Sequence, residues 1–112
     1  MNTKLKRLWV EQQGRCYYCS GETYLVGSGE VKASVKARFG IPEGRGSGTL
    51  LRRRRATLEH LKKRADGGTL ANTNIVMACM GCNVRRGDLS VDEFKALVVE
   101  VVSRGIHWTL HP

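Results

Sequence analysis

The chain has 112 residues, of which 19 are lysine or arginine and 10 are aspartate or glutamate, so its formal net charge is +9. This length fits one domain, and the absence of any apolar stretch near the roughly 20 residues of a membrane helix argues against a membrane-spanning protein. The excess positive charge points to a polyanionic partner. Nucleic acid is the first choice, a membrane surface the second, and solubility alone the simplest alternative.

Four cysteines form two Cys-x-x-Cys pairs, Cys16 with Cys19 and Cys79 with Cys82. In an exported protein they could form two disulfides. Residues 1–7 show no apolar run after their charges, so no signal peptide is visible and we expect a cytoplasmic location with reduced thiols. The pairs are therefore predicted to bind one structural Zn²⁺ through four thiolates, which would close a long loop and stabilise a small domain.

An N-terminal helix is predicted over residues 4–13, because Leu5, Leu8 and Trp9 form an apolar stripe at helical spacing. Gly14 supplies a C-terminal stop. Residues 24–26 and 31–35 are interpreted as short strands. Residues 41–48 are interpreted as a flexible, glycine-rich loop.

Basic residues dominate from Lys32 to Arg64, where only Glu43 and Glu59 oppose them. Four consecutive arginines could be a solvated, mobile run. We favour phosphate contact, since the run leads directly into the polar cluster that follows. The residues expected to contact nucleic acid are Arg52, Arg53, Arg54, Arg55, Lys62, Lys63, Arg64 and Arg85.

Two strands and a short helix are predicted next in the chain. Residues 55–60 and 74–78 have the character of strands, with a glycine turn at residues 67–68 between them. Residues 81–86 are expected to form one or two helical turns that Gly87 ends. This order places the second cysteine pair at the start of the short helix.

The C-terminal part is predicted to be a structural helix followed by a tail. Ser90 and Glu93 form a capping-box signature, and Gly105 ends the helix. Residues 106–110 are expected to form a short terminal strand. His107 and His111 are interpreted as tail residues and not as metal ligands.

Three side chains near the glycine turn could hydrolyse a phosphodiester bond. His60 is suited to take a proton from water, because an imidazole titrates near neutral pH. Glu59 and Asn83 could hold a hard cation such as Mg²⁺ through one carboxylate and one amide oxygen. Because neighbouring side chains of a strand point to opposite faces, Glu59 and His60 need a bend, or a substrate gripped between them.

The residues from Glu59 to Gly87 resemble the HNH endonuclease family, which has a ββα-metal fold. The shared positions are Glu59-His60, Gly67-Gly68, Asn74, Cys79-x-x-Cys82-Asn83 and Arg86-Gly87. The upstream cysteine pair extends the resemblance to the zinc-bearing subgroup. Two positions depart from the family pattern: Glu59 replaces the commoner aspartate, and Lys63 stands where a proline is usual.

The resemblance implies a role for each residue of the motif. His60 would be the general base, while Glu59 and Asn83 would hold the catalytic cation, Mg²⁺ or a similar divalent ion. Asn74 would brace the loop and orient His60, and Arg86 would lie close to the scissile phosphate or its neighbours. The implied fold is α+β, with a small ββα-metal core and a structural four-cysteine zinc site between an N-terminal and a C-terminal helix.

One nuclease domain is expected over residues 1–112, divided as helix and first zinc knuckle 1–21, basic glycine-rich insertion 22–56, ββα-metal motif 57–88, and C-terminal helix and tail 89–112. The leading hypothesis is a DNA endonuclease that nicks or cuts both strands. The alternatives are a zinc-stabilised DNA- or RNA-binding module without hydrolysis, and an accessory subunit of a DNA-processing machine. A homodimer, a larger DNA-processing complex and a phage-encoded origin stay open, the last by analogy only.

Overall fold

Helices surround a two-stranded antiparallel sheet in the part of the chain that the computed structural model describes, residues 2–111. The elements are α1 (Thr3–Glu11), α2 (Lys32–Arg38), α3 (Ser47–Arg53), β1 (Ala56–His60), β2 (Ile75–Cys79), α4 (Met80–Arg86) and α5 (Val91–Ser103). A 3₁₀ turn at Arg64–Asp66 lies between the strands. The order β1–β2–α4 confirms the predicted ββα core. None of the helices within residues 2–111 combines the length and apolar character needed to cross a membrane.

The two strands present different faces to their surroundings. Leu58 lies opposite Met77, and both pack in the apolar cluster that α1 covers. Thr57 and Glu59 alternate with Leu58 and so project from the other face. Helix α4 packs against that second face, where the Asn83 side chain hydrogen-bonds to Thr57 Oγ1 at 3.0 Å.

Buried side chains in the described region group into three clusters. One surrounds the cysteines and joins the first knuckle to α5 through Tyr18, Phe94 and Val98. The second lies between α1 and the sheet. The third joins α2 to α3 through residues that include Val35 and Leu51. The basic insertion therefore has a small apolar core of its own.

That insertion differs from its prediction. The strand predicted over residues 31–35 is wrong, because α2 occupies this segment and buries Val35. The strand predicted over residues 24–26 is reduced to a single bridge between Tyr24 and Arg55. Val31 and Val35 are four residues apart, a spacing that fits a helix as well as a strand. Burial of Val35 against α3 favours the helix.

The helix ends agree with the sequence signals. Gly14 has a positive φ of 72° just beyond α1, a backbone conformation that would strain most residues other than glycine. At the start of α5, the Ser90 amide donates to Glu93 Oε1 at 2.9 Å and the Glu93 amide donates to Ser90 Oγ at 3.1 Å. This reciprocal pair confirms the capping box. Phe94 and Val98 form the buried stripe of α5.

The tail folds back across the protein, and the terminal strand predicted over residues 106–110 is wrong. Arg53 Nη1 donates to the carbonyl oxygens of Trp108 at 2.9 Å and His111 at 2.6 Å. The Trp108 ring stacks on Phe94 with centroids 5.7 Å apart. A side chain from α3 thus binds two backbone carbonyls of the tail.

The turn between the strands leaves no space for a side chain at Gly68. A Cβ there would overlap the Lys62 carbonyl oxygen and lie 2.8 Å from the Lys63 carbonyl oxygen. We expect Gly68→Ala to lower the free energy of unfolding by about 1–3 kcal/mol, because backbone atoms must move. Urea denaturation measures this change.

Gly48→Ala is the matched control. Gly48 lies within α3, and a Cβ there meets only the Arg52 guanidinium at 3.6 Å. Alanine favours a helix over glycine by about 0.5–1 kcal/mol, so this variant should be more stable than the wild type. If Gly68→Ala proved as stable as the wild type, the crowding of the turn would be refuted.

Candidate functional site

Four cysteine sulfurs converge in the fold. The Sγ atoms of Cys16, Cys19, Cys79 and Cys82 all lie within 4.8 Å of one another. The separation between Cys19 Sγ and Cys79 Sγ is 4.0 Å, far longer than the about 2.05 Å of a disulfide bond. All four cysteines are free. The arrangement could hold one metal ion, with each of the four residues offering one sulfur.

Backbone amides of both knuckles point at the sulfurs. The N–H···S bonds run from Tyr18 to Cys16 at 3.4 Å, from Gly21 to Cys19 at 3.4 Å and from Cys82 to Cys79 at 3.3 Å. Such donors stabilise a thiolate, which is the form of cysteine that binds metals. The Tyr17 amide also donates to the Met77 carbonyl at 3.0 Å, and this bond docks the first knuckle beside β2.

The four thiols also influence one another's ionisation, because the sulfurs are too close for all of them to carry a negative charge without a cation. The pKa of the Cys19 thiol is lowered because its sulfur accepts hydrogen bonds from Cys16, Cys79 and Cys82. The pKa of the Cys82 thiol is raised because it hydrogen-bonds to the other three sulfurs and is buried. A divalent cation would remove this constraint, because it stabilises all four thiolates at once.

Glu59 projects into a buried ion pair. Its Oε2 lies 3.4 Å from Arg86 Nη1 and accepts a hydrogen bond from the Tyr18 hydroxyl at 3.0 Å. Burial raises the pKa of the Tyr18 hydroxyl most, and the negative charge of Glu59 raises it further. The hydroxyl therefore stays protonated and remains a donor. Glu59 Oε1 has no hydrogen-bond partner among residues 2–111. It is nevertheless not among the fully buried unpaired side-chain atoms of these residues, so it keeps some contact with solvent. One oxygen of this carboxylate is thus structural, and the other is free.

Arg86, which was predicted to lie close to the scissile phosphate or its neighbours, lies inside the protein. The residue is only 4 % exposed. Its guanidinium donates to the carbonyl oxygens of His60 at 2.6 Å, Leu61 at 2.8 Å and Leu89 at 3.0 Å. Arg86 therefore holds the backbone at the end of β1, and a phosphate cannot reach it without displacing these bonds.

Asn74 ties the two ends of the connection between the strands. Its Oδ1 accepts from the Lys62 amide at 2.8 Å, and its Nδ2 donates to the carbonyls of Lys62 at 3.0 Å and Thr69 at 2.8 Å. Its own carbonyl accepts from the Leu61 amide at 2.8 Å. These contacts hold the backbone directly after His60.

His60 and Asn83 have free polar atoms. The His60 side chain is half-buried and makes no hydrogen bond within residues 2–111. Asn83 Nδ2 donates to Thr57 Oγ1 and to the Leu58 carbonyl, both at 3.0 Å, and no partner occupies its Oδ1 in the described chain. Strand alternation puts Glu59 on the α4 side of β1 and His60 on the other side. A bend or a substrate between them therefore remains necessary.

Among residues 2–111, the four cysteines are the one group of three or more His, Cys, Asp or Glu side chains that converges closely enough for a metal ion. A cation held by Glu59 and Asn83 would thus take its remaining ligands from water and substrate, as Mg²⁺ commonly does.

The four consecutive arginines have different surroundings. Arg52 and Arg55 are exposed. Arg53 binds the tail carbonyls, and the Arg54 guanidinium lies 4.9 Å from the centroid of the Phe39 ring. Two of the four guanidinium groups, those of Arg53 and Arg54, are therefore engaged in contacts within the protein.

The other basic residues predicted to contact nucleic acid are at the surface. Lys62, Arg64 and Arg85 are exposed. Lys63 is half-buried and lies 3.6 Å from Asp88 in an ion pair. Arg85 follows Asn83 by two positions on α4, so it shares a helix with the proposed cation ligand.

Two side chains that sequence reasoning missed complete these sites. Tyr18 reaches Glu59 across a separation of 41 residues, and no local pattern indicates such a contact. His107, interpreted from the sequence as a tail residue, is buried with its Nε2 3.4 Å from Cys82 Sγ. A histidine followed by Trp108 in an apolar tail was the only signal available.

Comparison with known proteins agrees with this architecture. The model of the HNH endonuclease family matches residues 45–89. No curated protein and no solved structure matches the chain significantly. The matched segment contains both strands and α4, together with Glu59, His60, Asn74 and Asn83. The HNH endonuclease family model therefore matches the ββα core of this chain, which lies beside the cluster of four cysteines.

Proposed function

We propose that this protein is a metal-dependent endonuclease that hydrolyses phosphodiester bonds of DNA with His60 as the general base. The main support is that Glu59 Oε1, the His60 ring and Asn83 Oδ1 lack hydrogen-bond partners within residues 2–111. They also belong to the segment that the HNH family matches. Unpaired polar atoms at motif positions are what a reaction centre needs.

Glu59 and Asn83 would hold the catalytic cation, Mg²⁺ or a similar divalent ion. A carboxylate oxygen and an amide oxygen are hard donors that fit such an ion. When bound, the ion neutralises charge on the phosphoryl oxygens and on the leaving 3′ oxygen. The chain contributes the positioning: Arg86 and Tyr18 hold the Glu59 carboxylate, and the bonds from Asn83 Nδ2 to β1 leave Oδ1 available.

His60 would accept the proton of the attacking water. Its backbone is fixed on one side by the bond from Arg86 and on the other by the Asn74 contacts to residues 61 and 62. A rigid backbone limits the positions of the ring and so favours a productive geometry. Arg86 and Asn74 are thus positioning residues in this proposal.

Zn²⁺ is proposed for the cysteine cluster. Four sulfurs at Zn–S distances of about 2.3 Å in a tetrahedron lie about 3.8 Å apart, close to the 4.0 Å between Cys19 Sγ and Cys79 Sγ. A closed set of four thiolates has no open position for water, so this ion would stabilise the fold and take no part in hydrolysis.

The domain implies nucleic-acid binding, and we assign the backbone contacts to the exposed basic residues. These are Arg52, Arg55, Lys62, Arg64 and Arg85. A net charge of +9 favours association with a polyanion and predicts a strong dependence on salt. Cleavage of both strands by a chain with one site would need a homodimer or two binding events.

A nucleic-acid-binding module without hydrolysis is the second candidate function. One observation favours it: the Glu59 side chain is only 8 % exposed and is paired with Arg86, so its charge is already balanced inside the protein. A third role, as accessory subunit of a DNA-processing machine, would show itself as cleavage that requires a partner protein.

Removal of the His60 imidazole should abolish most cleavage. We expect His60→Ala to lower the rate of plasmid nicking with Mg²⁺ by about 10²–10⁴-fold, since general-base catalysis contributes that much. Gel electrophoresis of supercoiled plasmid measures the rate. His111→Ala is the matched control, because the His111 side chain is exposed. Within residues 2–111, only its backbone carbonyl takes part in a hydrogen bond, which it accepts from Arg53.

Full activity in His60→Ala would end the assignment of the base. DNA binding by the wild type without cleavage in Mg²⁺, Mn²⁺ or Ca²⁺ would favour the binding module. Binding is best compared in the same buffers by fluorescence anisotropy.

Metal analysis should find one zinc per chain. Cys19→Ser should lose the zinc and lower the midpoint of thermal unfolding, because one of the four sulfur ligands is gone. Ser20→Ala is the control at the neighbouring position, since only the Ser20 backbone makes contacts in the knuckle. Zinc-free wild type that unfolds at the same temperature as zinc-loaded protein would refute the structural role.

Each exposed arginine that binds a phosphate should contribute to the salt dependence of binding. We expect Arg85→Gln, in the His60→Ala background, to reduce the slope of log K against log salt by about 0.9. Arg104→Gln is the control, because Arg104 is exposed at the end of α5 and, within residues 2–111, its side chain pairs only with Glu100. Equal slopes for Arg85→Gln and the parent would exclude Arg85 from the interface.

A further inference from the structure

His107 lies buried against the cysteine cluster although it is outside the HNH segment. The residue is 4 % exposed, and its Nε2 is 3.4 Å from Cys82 Sγ. Burying an imidazole costs free energy unless its nitrogens find partners. The partners of the two ring nitrogens therefore decide what this histidine can do.

The partner of Nδ1 fixes the tautomer. The backbone N–H of Thr109 donates to His107 Nδ1 at 3.2 Å. A backbone amide can only donate, so Nδ1 must accept and carries no proton. In the neutral ring the proton is then on Nε2, the nitrogen that meets the Cys82 sulfur. The Thr109 hydroxyl, 2.7 Å from Nδ1, is a second donor to the same nitrogen.

The sulfur of Cys82 differs from the other three. Cys16, Cys19 and Cys79 each accept a hydrogen bond from a backbone amide. No backbone amide within residues 2–111 donates to Cys82 Sγ, and its N–H donor is the His107 ring. Each sulfur thus receives one N–H group, three from the main chain and one from this side chain.

Contacts of the tail hold the ring in place. Arg53 Nη1 donates to the carbonyls of Trp108 and His111, which follow His107. The Trp108 ring also packs on the second knuckle, where a Cβ added at Gly81 would lie 2.5 Å from Trp108 Cδ1. The tail, α3 and the second cysteine pair therefore form one packed unit.

We propose that His107 completes the metal site by donating its Nε2–H to the Cys82 thiolate, and that residues 107–111 belong to the zinc-binding unit. Four thiolates and one Zn²⁺ sum to a net charge of −2, which a hydrogen-bond donor stabilises. His107 is not a ligand in this arrangement, because the nitrogen that faces the sulfur carries the proton. The inference rests on the zinc proposed above and does not depend on DNA cleavage.

The direct test is the tautomer in the zinc-loaded, full-length wild type. Long-range ¹H–¹⁵N correlation spectra should show the proton of His107 on Nε2. A proton on Nδ1 would overturn the proposal. This measurement needs no variant, so a failure of any variant to fold does not affect it.

The energetic test is competition for zinc with a chromophoric chelator. His107→Leu should bind zinc about 10–100-fold more weakly than the wild type, as is typical when an outer-shell donor is removed. His107→Gln, whose amide also carries an N–H donor, should recover part of the affinity. Unchanged affinity in His107→Leu would refute the role of His107. A wild type that binds no zinc would refute the metal assignment itself.

Cobalt substitution separates a donor from a ligand. The thiolate-to-cobalt charge-transfer bands of the wild type and of His107→Leu should both indicate four sulfur ligands. Loss of a nitrogen ligand in the variant would overturn the donor role.

The tail contacts are tested by a matched pair on α3. Arg53→Gln should weaken zinc binding, because it releases the tail, whereas Arg52→Gln should not, because Arg52 is exposed and makes no contact with the tail. Equal zinc affinity of the two variants would separate the tail from the metal site and overturn that part of the proposal.

Discussion

The meeting of two distant cysteine pairs is the constraint on which the rest of this structure depends. It brings the first knuckle beside β2 and α4, and with it Tyr18, which lies between Cys16 and Cys19. The Tyr18 hydroxyl then reaches Glu59, and Glu59 pairs with Arg86. A continuous path of contacts therefore runs from the sulfurs to the acid of the HNH motif.

The Glu59–Arg86 pair gives the site its rigidity. Breaking one partner of a buried ion pair typically costs about 3–5 kcal/mol, because the other charge is left uncompensated. Here the same guanidinium also binds the carbonyls of His60 and Leu61. One arginine thus fixes both the acid and the backbone of the histidine beside it. The position of Glu59 is therefore set by contacts within the protein.

The sequence predicted the elements whose signals are local. The capping box at Ser90, the glycine-ended helices and the two strands all follow from neighbouring residues. The positions of the Arg86 and His107 side chains could not be predicted in this way. Each depends on a contact with a residue that is at least 25 positions away in the sequence. The resemblance to the HNH family implied that Arg86 would lie close to the scissile phosphate or its neighbours. Two of the three backbone carbonyls around it, those of His60 and Leu61, belong to a segment that only the folded chain brings close to Arg86.

The path of the tail also determines which residues the folded domain includes. The recognisable family segment stops at residue 89, yet the Trp108 ring lies over the glycine between Cys79 and Cys82. A fragment trimmed to the family boundaries would lack Trp108 and would therefore expose that glycine to solvent. Any excision, fusion or grafting of this region should therefore keep the last helix together with the residues that follow it up to His111.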